Sequence, residues 1–352
     1  MKKLATVLVT SGIITFVFRV LNSLLTNLSE ISQEIPLCSV QNNTHLWEVC
    51  KDNCPEQMQP FTQKMWNEFN EPPEDRVVSK SKRQNVIILS YPGAGSQLLG
   101  KVLNENLRVF YLPEPLHSLA YYIKYNPSIG FSLSIHLLNN LFQCDFGEHE
   151  YFVDDLSVNP LRLQSRALSS ALMCSSSSST AICHNLNATV LQKLCLQESD
   201  LTVARTTMIK SLESLSVLME KENFILKIIH FVRNPKHALK ELLSQKQLSP
   251  TEMTTKARKL CNQLFLNIKY GESKDIHWLY GNYKLVKFED FVANTIDVIR
   301  DIYKLIKFEE DSDEVSVKIS LSNTTNEKGA NNELEKIILG QCSQTLKLLN
   351  YW

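Results

Sequence analysis

From residue 85 onward, short apolar runs alternate with longer helix-like stretches. The short runs predict β-strands over 85–90, 108–112, 222–232 and 282–288. The longer stretches predict helices over 96–106, 201–222 and 251–270. Because apolar residues predominate in the runs at 85–90 and 222–232, both faces of these strands should be buried. Strands that alternate with helices predict an α/β fold, a parallel sheet flanked by helices.

The N-terminal region has a different pattern. An apolar stretch over 4–25 follows Lys2 and Lys3, and Arg19 is its one charged residue. About 20 helical residues span a bilayer, and an arginine can reach toward the membrane surface, so 4–25 predicts a transmembrane signal anchor. The preceding lysines favour a cytoplasmic tail over 1–3. A cleaved signal peptide and a buried core helix are the alternatives.

The polar segment 26–82 shows little periodicity and predicts a lumenal stem, which leaves 83–352 as the globular domain. A secretory-pathway location agrees with the N-glycosylation sequons at Asn27, Asn42, Asn187 and Asn323. The serine-rich segment over 169–183 is of low complexity and predicts a surface loop, which a disulfide between Cys174 and Cys183 could close.

The cysteines are expected to form several disulfides and to leave at least one thiol, because an odd number is exposed to an oxidising lumen. They are Cys38, Cys50, Cys54, Cys144, Cys174, Cys183, Cys195, Cys261 and Cys342. No paired C-x-x-C motif occurs among them, which argues against structural zinc. The 352 residues carry a formal net charge of zero, so nucleic acid is not an expected partner and any anion site must be local.

The segment after the first predicted strand reads Tyr-Pro-Gly-Ala-Gly-Ser-Gln, residues 91–97. A glycine-rich turn that leads into a helix can bind phosphate through backbone N–H groups and the helix dipole. Gly93 and Gly95 would allow close approach, and Ser96 could add a hydroxyl donor; a plain strand-to-helix turn is the alternative. The P-loop-like run from Gly95 to Lys101 continues with Val102, which cannot hold magnesium, so a kinase is disfavoured.

Arg233 follows the apolar run 222–232 directly and precedes Asn-Pro. At the carboxyl end of a parallel strand, where ligands of open α/β sheets bind, its guanidinium could bind phosphate with two hydrogen bonds. Pairing with a neighbouring carboxylate is the alternative.

Several segments, taken in order, resemble Golgi carbohydrate sulfotransferases, and among them the galactose/N-acetylglucosamine/N-acetylgalactosamine 6-O-sulfotransferases. The similar segments are ILSYPGAGSQLLGKVLNENLRVFYLPEPLHSL, FQCDF, TVARTTMIKSLESL, IIHFVRNPKHAL, LVKFEDFVANTIDVIRDIY and IILGQCSQTLKLLNYW. The resemblance covers about 83–352. It implies a P-loop-like sulfotransferase fold in a single-pass type II Golgi membrane protein. The implied reaction transfers a sulfuryl group, without a metal, to a glycan or glycoprotein.

The resemblance also implies the donor, 3′-phosphoadenosine-5′-phosphosulfate (PAPS), and the residues that bind it. The 5′-phosphosulfate would lie on Tyr91, Pro92, Gly93, Ala94, Gly95, Ser96 and Gln97, and Arg233 would hold the 3′-phosphate. Glu114 matches the expected catalytic base, since sulfuryl transfer needs a carboxylate to take the hydroxyl proton. His117 is a second candidate base.

Three positions differ from the family pattern. Gly93 stands where most relatives have arginine or lysine, Glu241 replaces a serine, and Glu213 replaces an arginine. Ser244, one helical turn beyond Glu241, is the expected substitute for that serine. Because these changes remove positive charge from an anion site, the alternative hypothesis is a catalytically impaired protein that binds glycans or acts as a scaffold.

Overall fold

The computed structural model describes residues 83–170, 173–177, 180–219, 224–244, 249–308 and 332–351. The predicted cytoplasmic tail, anchor and stem over 1–82 lie outside these ranges. Across the described ranges, no helix combines the length and the apolar character that a bilayer crossing requires.

A five-stranded parallel sheet forms the centre of the domain, as predicted. Its strands are β1 (Gln84–Leu89), β2 (Val109–Pro113), β5 (Leu201–Thr206), β6 (Leu226–Val232) and β7 (Tyr283–Lys287). The strands β3 (Cys174–Ser177) and β4 (Thr180–Cys183) belong to a separate hairpin. The strand order is β2-β5-β1-β6-β7. The chain therefore moves to one side of β1 and later returns to its other side. Such a reversal creates a crevice at the carboxyl ends of the strands, where ligands of open sheets bind.

The helices, in chain order, are α1 (Ser96–Asn104), α2 (Ala120–Tyr125), α3 (Pro127–Phe142), α4 (Glu150–Val158), α5 (Ala188–Leu196), α6 (Ser216–Met219), α7 (Pro235–Ser244), α8 (Pro250–Gly271), α9 (Phe288–Ala293), α10 (Thr295–Ile306) and α11 (Asn332–Leu348). Short 3-10 helices occur at Pro115–Leu119, Pro160–Gln164, Glu213–Leu215 and His277–Leu279. The predicted helices at 96–106 and 251–270 are confirmed as α1 and α8.

Each side of the sheet carries its own hydrophobic core, because successive strand residues point to opposite faces. Ile87 and Leu89 of β1 pack with residues of α3, α4 and α5. Val86 and Ile88 pack with residues of α1, α9 and α10. A third layer joins α7, α8 and α11. The four strands β1, β2, β5 and β6 are almost fully buried in this arrangement, whereas the edge strand β7 is mostly half-buried.

The predicted helix over 201–222 is wrong at its start. Residues Leu201–Thr206 form β5, a fully buried strand between β1 and β2, and only a 3-10 turn and the four-residue α6 follow. Leu-Thr-Val-Ala-Arg-Thr contains three β-branched residues, which favour a pleated surface. Without β5, β2 would have no strand to pair with, and β1 would pair only with β6.

The predicted surface loop over 169–183 is partly wrong as well. Residues Cys174–Ser177 (β3) and Thr180–Cys183 (β4) pair antiparallel, with Cys174 opposite Cys183. The disulfide between these two cysteines is confirmed, and Cys144–Cys195 and Cys261–Cys342 also form. Several disulfides were expected, and these three use six of the nine cysteines; Cys38, Cys50 and Cys54 lie outside the described residues.

Candidate functional site

The turn between β1 and α1 has the backbone conformation that its glycines allow. Gly93 (φ 84°) and Gly95 (φ 79°) are both in the left-handed region, where a side chain is strained. Gly95 is also the N-cap of α1. A Cβ atom at Gly95 would lie 2.7 Å from a ring carbon of Phe288, so the turn and this ring leave no space for a larger residue.

The N–H groups of this turn are oriented by the start of α1. Leu98 N–H donates to Gly95 O (3.0 Å) and Ala94 N–H to Tyr91 O (3.1 Å), which closes the turn. The N–H groups of Gly95, Ser96 and Gln97 have no acceptor within the described part of the chain. Unpaired N–H groups at a helix N-terminus favour an anion.

Tyr91 fastens the turn to the end of β6. Its buried hydroxyl donates to Arg233 O and accepts from Arg233 N–H (2.9 Å). Burial raises the pKa of Tyr91 well above its usual value, so the hydroxyl stays protonated and available for both bonds. The ends of β1 and β6 are therefore held as one unit.

The Arg233 side chain reaches the same turn. Its Nη1 donates to Gly93 O (3.2 Å), and its guanidinium lies 4.6 Å from the centre of the Phe288 ring. The structure thus brings the predicted phosphate turn and the predicted phosphate arginine together, although the anion-binding roles stay predictions. The sequence pattern did not indicate Phe288 as a site residue. Its ring lies against both the turn and the Arg233 guanidinium.

Ser96 differs from its expected use. Its hydroxyl pairs with the Ser90 hydroxyl (2.6 Å), and both side chains are buried. The contribution of Ser96 to an anion site is therefore its backbone N–H. Pro92 and Gln97 are exposed at the turn, and Ala94 is buried beneath it.

Glu114 follows β2 and is largely buried, with 7% of its surface exposed. Its backbone is left-handed (φ 55°), and its N–H donates to Arg205 O (2.8 Å). The carboxylate accepts from Thr206 Oγ1 (2.5 Å), from Thr207 N–H (3.0 Å) and from Thr207 Oγ1 (2.9 Å). Arg205 Nη1 lies 3.8 Å away, and this ion pair is buried. A non-glycine residue in this conformation is costly, and such costs concentrate at functional sites.

A continuous set of hydrogen bonds connects Glu114 to the β1 turn. The Thr206 hydroxyl donates to Glu114, and the Thr206 carbonyl accepts from Ser90 N–H (3.1 Å). Ser90 then pairs with Ser96, the first residue of α1. The carboxylate and the turn are therefore parts of one rigid edge of the sheet.

His117 lies in the 3-10 helix that follows Glu114, and its side chain is half exposed. Its Nδ1 lies 3.1 Å from Asp155 Oδ1 and accepts from Asn159 Nδ2 at 2.8 Å when the ring is neutral. The same nitrogen has two protein partners, so Nδ1 is occupied by contacts with Asp155 of α4 and with the C-cap residue Asn159.

The positions that differ from the family pattern have separate surroundings. The left-handed backbone at Gly93 explains its glycine, because arginine or lysine would be strained there. Glu213 is exposed at the start of a 3-10 helix. Glu241 and Ser244 lie in the last turn of α7, but their side chains are outside the part of the chain that the structure describes, so the predicted substitution by Ser244 stays a prediction.

Arg205, Thr206 and Thr207 were not predicted as site residues, because 201–222 was predicted to be a helix. A strand there would have placed Thr-Thr at the same sheet edge as Glu114 and Arg233, and that was the available signal. Glu289 was not predicted either; it accepts from Asn234 N–H (3.0 Å) and from the Tyr351 hydroxyl. Through these bonds, the C-terminal residues hold the segment that carries Arg233.

Metal ligands do not cluster at this edge: the described residues contain no group of three or more histidines, cysteines, aspartates or glutamates placed to hold a metal ion.

No protein-family model matches the chain. Curated proteins similar to it include carbohydrate sulfotransferase 1 of Danio rerio, at 24% identity over 65% of this chain and 63% of the relative. Carbohydrate sulfotransferase 1 of Homo sapiens is 25% identical over 66% of each chain, and carbohydrate sulfotransferase 3 of Homo sapiens is 25% identical over 63% of this chain and 53% of the relative. The chain thus spans less than two thirds of the length of the relatives it matches. The predicted relationship to carbohydrate sulfotransferases is confirmed.

Among solved structures, the sulfotransferase domain of the Synechococcus PCC 7002 olefin synthase aligns with 68% of this chain and 78% of its own, at 16% identity and a TM-score of 0.35.

Proposed function

We propose that this chain is an enzyme that transfers a sulfuryl group from PAPS to a sugar hydroxyl of a glycan, the 6-hydroxyl in particular. The single observation that carries the proposal is the hydrogen-bonded edge from Glu114 through Thr206 and Ser90 to the start of α1. This network holds a carboxylate and a turn suited to an anion in one hydrogen-bonded unit. The names of the curated relatives support the same reaction class.

The residues of the turn fit a phosphosulfate donor. Three N–H groups at the N-terminus of α1 and the Arg233 guanidinium supply positive charge without a metal. The N–H groups would also stabilise the phosphate oxygen from which the sulfuryl group departs. Arg233 would hold the 3′-phosphate, and the bond from its Nη1 to Gly93 O keeps the guanidinium beside the turn.

Glu114 would receive the proton of the attacking sugar hydroxyl. The oxygen of that hydroxyl forms the new bond to sulfur, while the bond from sulfur to the phosphate oxygen breaks and adenosine 3′,5′-bisphosphate leaves. Four hydrogen-bond contacts and the Arg205 ion pair fix the position of the carboxylate, and fixed positions account for much of the rate of transfer reactions.

We also propose a Golgi membrane location, with 4–25 as the anchor, 26–82 as the stem and the remainder in the lumen. The three disulfides agree with an oxidising compartment. Asn187 is exposed and uses only its side-chain oxygen to cap α5, so its sequon is accessible to glycosylation.

The test is transfer of radiolabelled sulfate from PAPS to a broad glycan panel by the full-length protein in detergent. Glu114→Gln should lower kcat by about 10²–10⁴-fold, the usual effect of general-base loss. It should leave the affinity for adenosine 3′,5′-bisphosphate, measured by calorimetry, within a few-fold of the original. Glu148→Gln is the control, because Glu148 is exposed and lies far in sequence from the ends of β2 and β5.

Arg233→Ala should weaken bisphosphate binding by roughly 10–100-fold, since a hydrogen bond to a charged group contributes about 1.5–3 kcal/mol. Arg300→Ala, which removes an exposed ion pair with Asp297, is its control. Absence of transfer to every glycan would contradict the enzymatic proposal. Absence of bisphosphate binding as well would favour the glycan-binding or scaffold alternative.

A further inference from the structure

We propose that Thr207 is a catalytic residue that passes the proton of the acceptor hydroxyl to Glu114. This inference rests on the proposed function and adds a step to it. The starting observation is that Glu114 is too enclosed to meet a substrate directly: its side chain is 8% exposed.

The two carboxylate oxygens of Glu114 already have protein donors. Oε1 accepts from Thr206 Oγ1 (2.5 Å) and Thr207 N–H (3.1 Å). Oε2 accepts from Thr207 N–H (3.0 Å) and Thr207 Oγ1 (2.9 Å), with Arg205 Nη1 at 3.8 Å. A carboxylate has about four acceptor sites, so a sugar hydroxyl would have to displace one of these donors to bond to it.

Among the described residues that contact this carboxylate, Thr207 alone is partly exposed, whereas Arg205 and Thr206 are buried. A threonine hydroxyl donates one hydrogen bond and accepts two. The Thr207 hydroxyl donates its one hydrogen bond to Glu114, and no described residue donates to the acceptor sites of Thr207 Oγ1. The outward side of this hydroxyl can therefore accept a hydrogen bond from a sugar hydroxyl while the inward side stays bonded to the base.

The buried neighbour cannot do this. Thr206 Oγ1 donates to Glu114 and accepts from Met208 N–H (3.1 Å), and the residue has no exposed surface. The two consecutive threonines thus make equivalent bonds to one carboxylate, but only Thr207 can also contact an acceptor. Thr206 is a positioning residue.

The proton movement is balanced. As the sugar oxygen bonds to sulfur, its proton moves to Thr207 Oγ1 and the original Thr207 proton moves to Glu114 Oε2. The electron pair of the breaking sulfur–oxygen bond goes to the phosphate of the leaving adenosine bisphosphate. Glu114 then returns its proton to Thr207, and the Thr207 hydroxyl passes a proton to water, which restores the carboxylate.

The experiment compares Thr207→Val, Thr207→Ser and Thr206→Val in the full-length protein with the glycan that the original protein sulfates best. Thr207→Val keeps the shape and removes the hydroxyl, and kcat should fall about 10²-fold or more. The KM for PAPS and the bisphosphate affinity should stay within a few-fold. Thr207→Ser keeps a hydroxyl and should retain kcat within about tenfold. The fold-decrease in kcat caused by Thr206→Val should be at least ten times smaller than the one caused by Thr207→Val.

Thr207→Ala separates a relay from a purely structural role, and it replaces the valine variant if that one unfolds, as judged by its melting temperature. A water molecule can fill the space that alanine leaves, so Thr207→Ala should be more active than Thr207→Val. Equal kcat losses in Thr206→Val and Thr207→Val, or a Thr207→Val variant as active as the original, would overturn the relay and leave the proposed function standing. An original protein without transferase activity would overturn both.

Discussion

At the scale of single residues, the candidate site depends on backbone conformations that side chains usually avoid. Gly93, Gly95 and Glu114 all have positive φ values, and all three lie at the carboxyl edge of the sheet. The sequence predicted the glycines as a close-approach turn. It could not predict the conformation of Glu114, because its left-handed backbone is held by Arg205, a residue 91 positions away in the chain.

Gly95→Ala tests the close packing of the turn. The added Cβ would lie 2.7–2.8 Å from two Phe288 ring carbons, and Phe288 supports the Arg233 guanidinium. The substitution should therefore destabilise the protein by more than the roughly 1–2 kcal/mol of a left-handed alanine, and weaken adenosine bisphosphate binding severalfold. Chemical denaturation and calorimetry measure the two effects.

Gly281→Ala is the matched control, since Gly281 also has a positive φ (68°) but no atom within 4 Å of its added Cβ. It should incur the backbone cost alone and leave binding unchanged. Equal effects of both substitutions would argue against packing at Phe288.

At the scale of elements, α11 connects the end of the chain to the site. It packs along α8 and is joined to it by the Cys261–Cys342 disulfide. Beyond the helix, Leu349 packs with Tyr91 and Ala94, and the Tyr351 hydroxyl donates to Glu289. Tertiary contacts, rather than the helix itself, therefore place the C-terminal residues beside the turn.

The two disulfides Cys261–Cys342 and Cys174–Cys183 should contribute unequally to stability. They join residues 81 and 9 positions apart. The loop-entropy relation gives about 4.5 kcal/mol for the longer loop and about 2.7 kcal/mol for the shorter one. Cys261→Ser/Cys342→Ser should therefore lower the free energy of unfolding more than Cys174→Ser/Cys183→Ser, as urea titrations would measure. The reverse order would show that strain or residual structure outweighs loop entropy.

At the scale of the whole molecule, two buried histidines link stability to pH. Burial lowers the pKa of His230 to about 4 and that of His149 to about 4. His230 Nδ1 contacts the Tyr283 hydroxyl (3.0 Å), and His149 Nε2 accepts from Asn140 Nδ2 (2.9 Å). Because each histidine titrates near 6.5 in the unfolded chain, the unfolded state binds more protons between pH 6.5 and pH 4.

The folded state should therefore lose stability as the pH falls through that window. From pH 7 to pH 5, each histidine should lower the free energy of unfolding by about 2 kcal/mol. The double variant His230→Phe/Tyr283→Phe removes one of these groups together with its partner. From pH 7 to pH 5, the free energy of unfolding of this variant should fall by about 2 kcal/mol less than that of the original protein. Urea unfolding at each pH measures this. Between pH 7 and pH 8, the free energies of unfolding of the two proteins should change in parallel. The prediction is wrong if the difference between them is the same at pH 5 as at pH 7.

The sequence by itself determined four strands of the sheet, helices α1 and α8, the glycine turn, the arginine after β6 and one disulfide. Each of these has a local signal: an apolar run, a turn residue or a short cysteine spacing. Only the tertiary structure decided that 201–206 forms a strand, because a short run buried on both faces has no hydrophobic period that separates a strand from a helix. It also decided that Thr206 and Thr207 meet Glu114 and that Tyr91 meets Arg233. These contacts join residues about 90–140 positions apart, and only strand order and register bring them together.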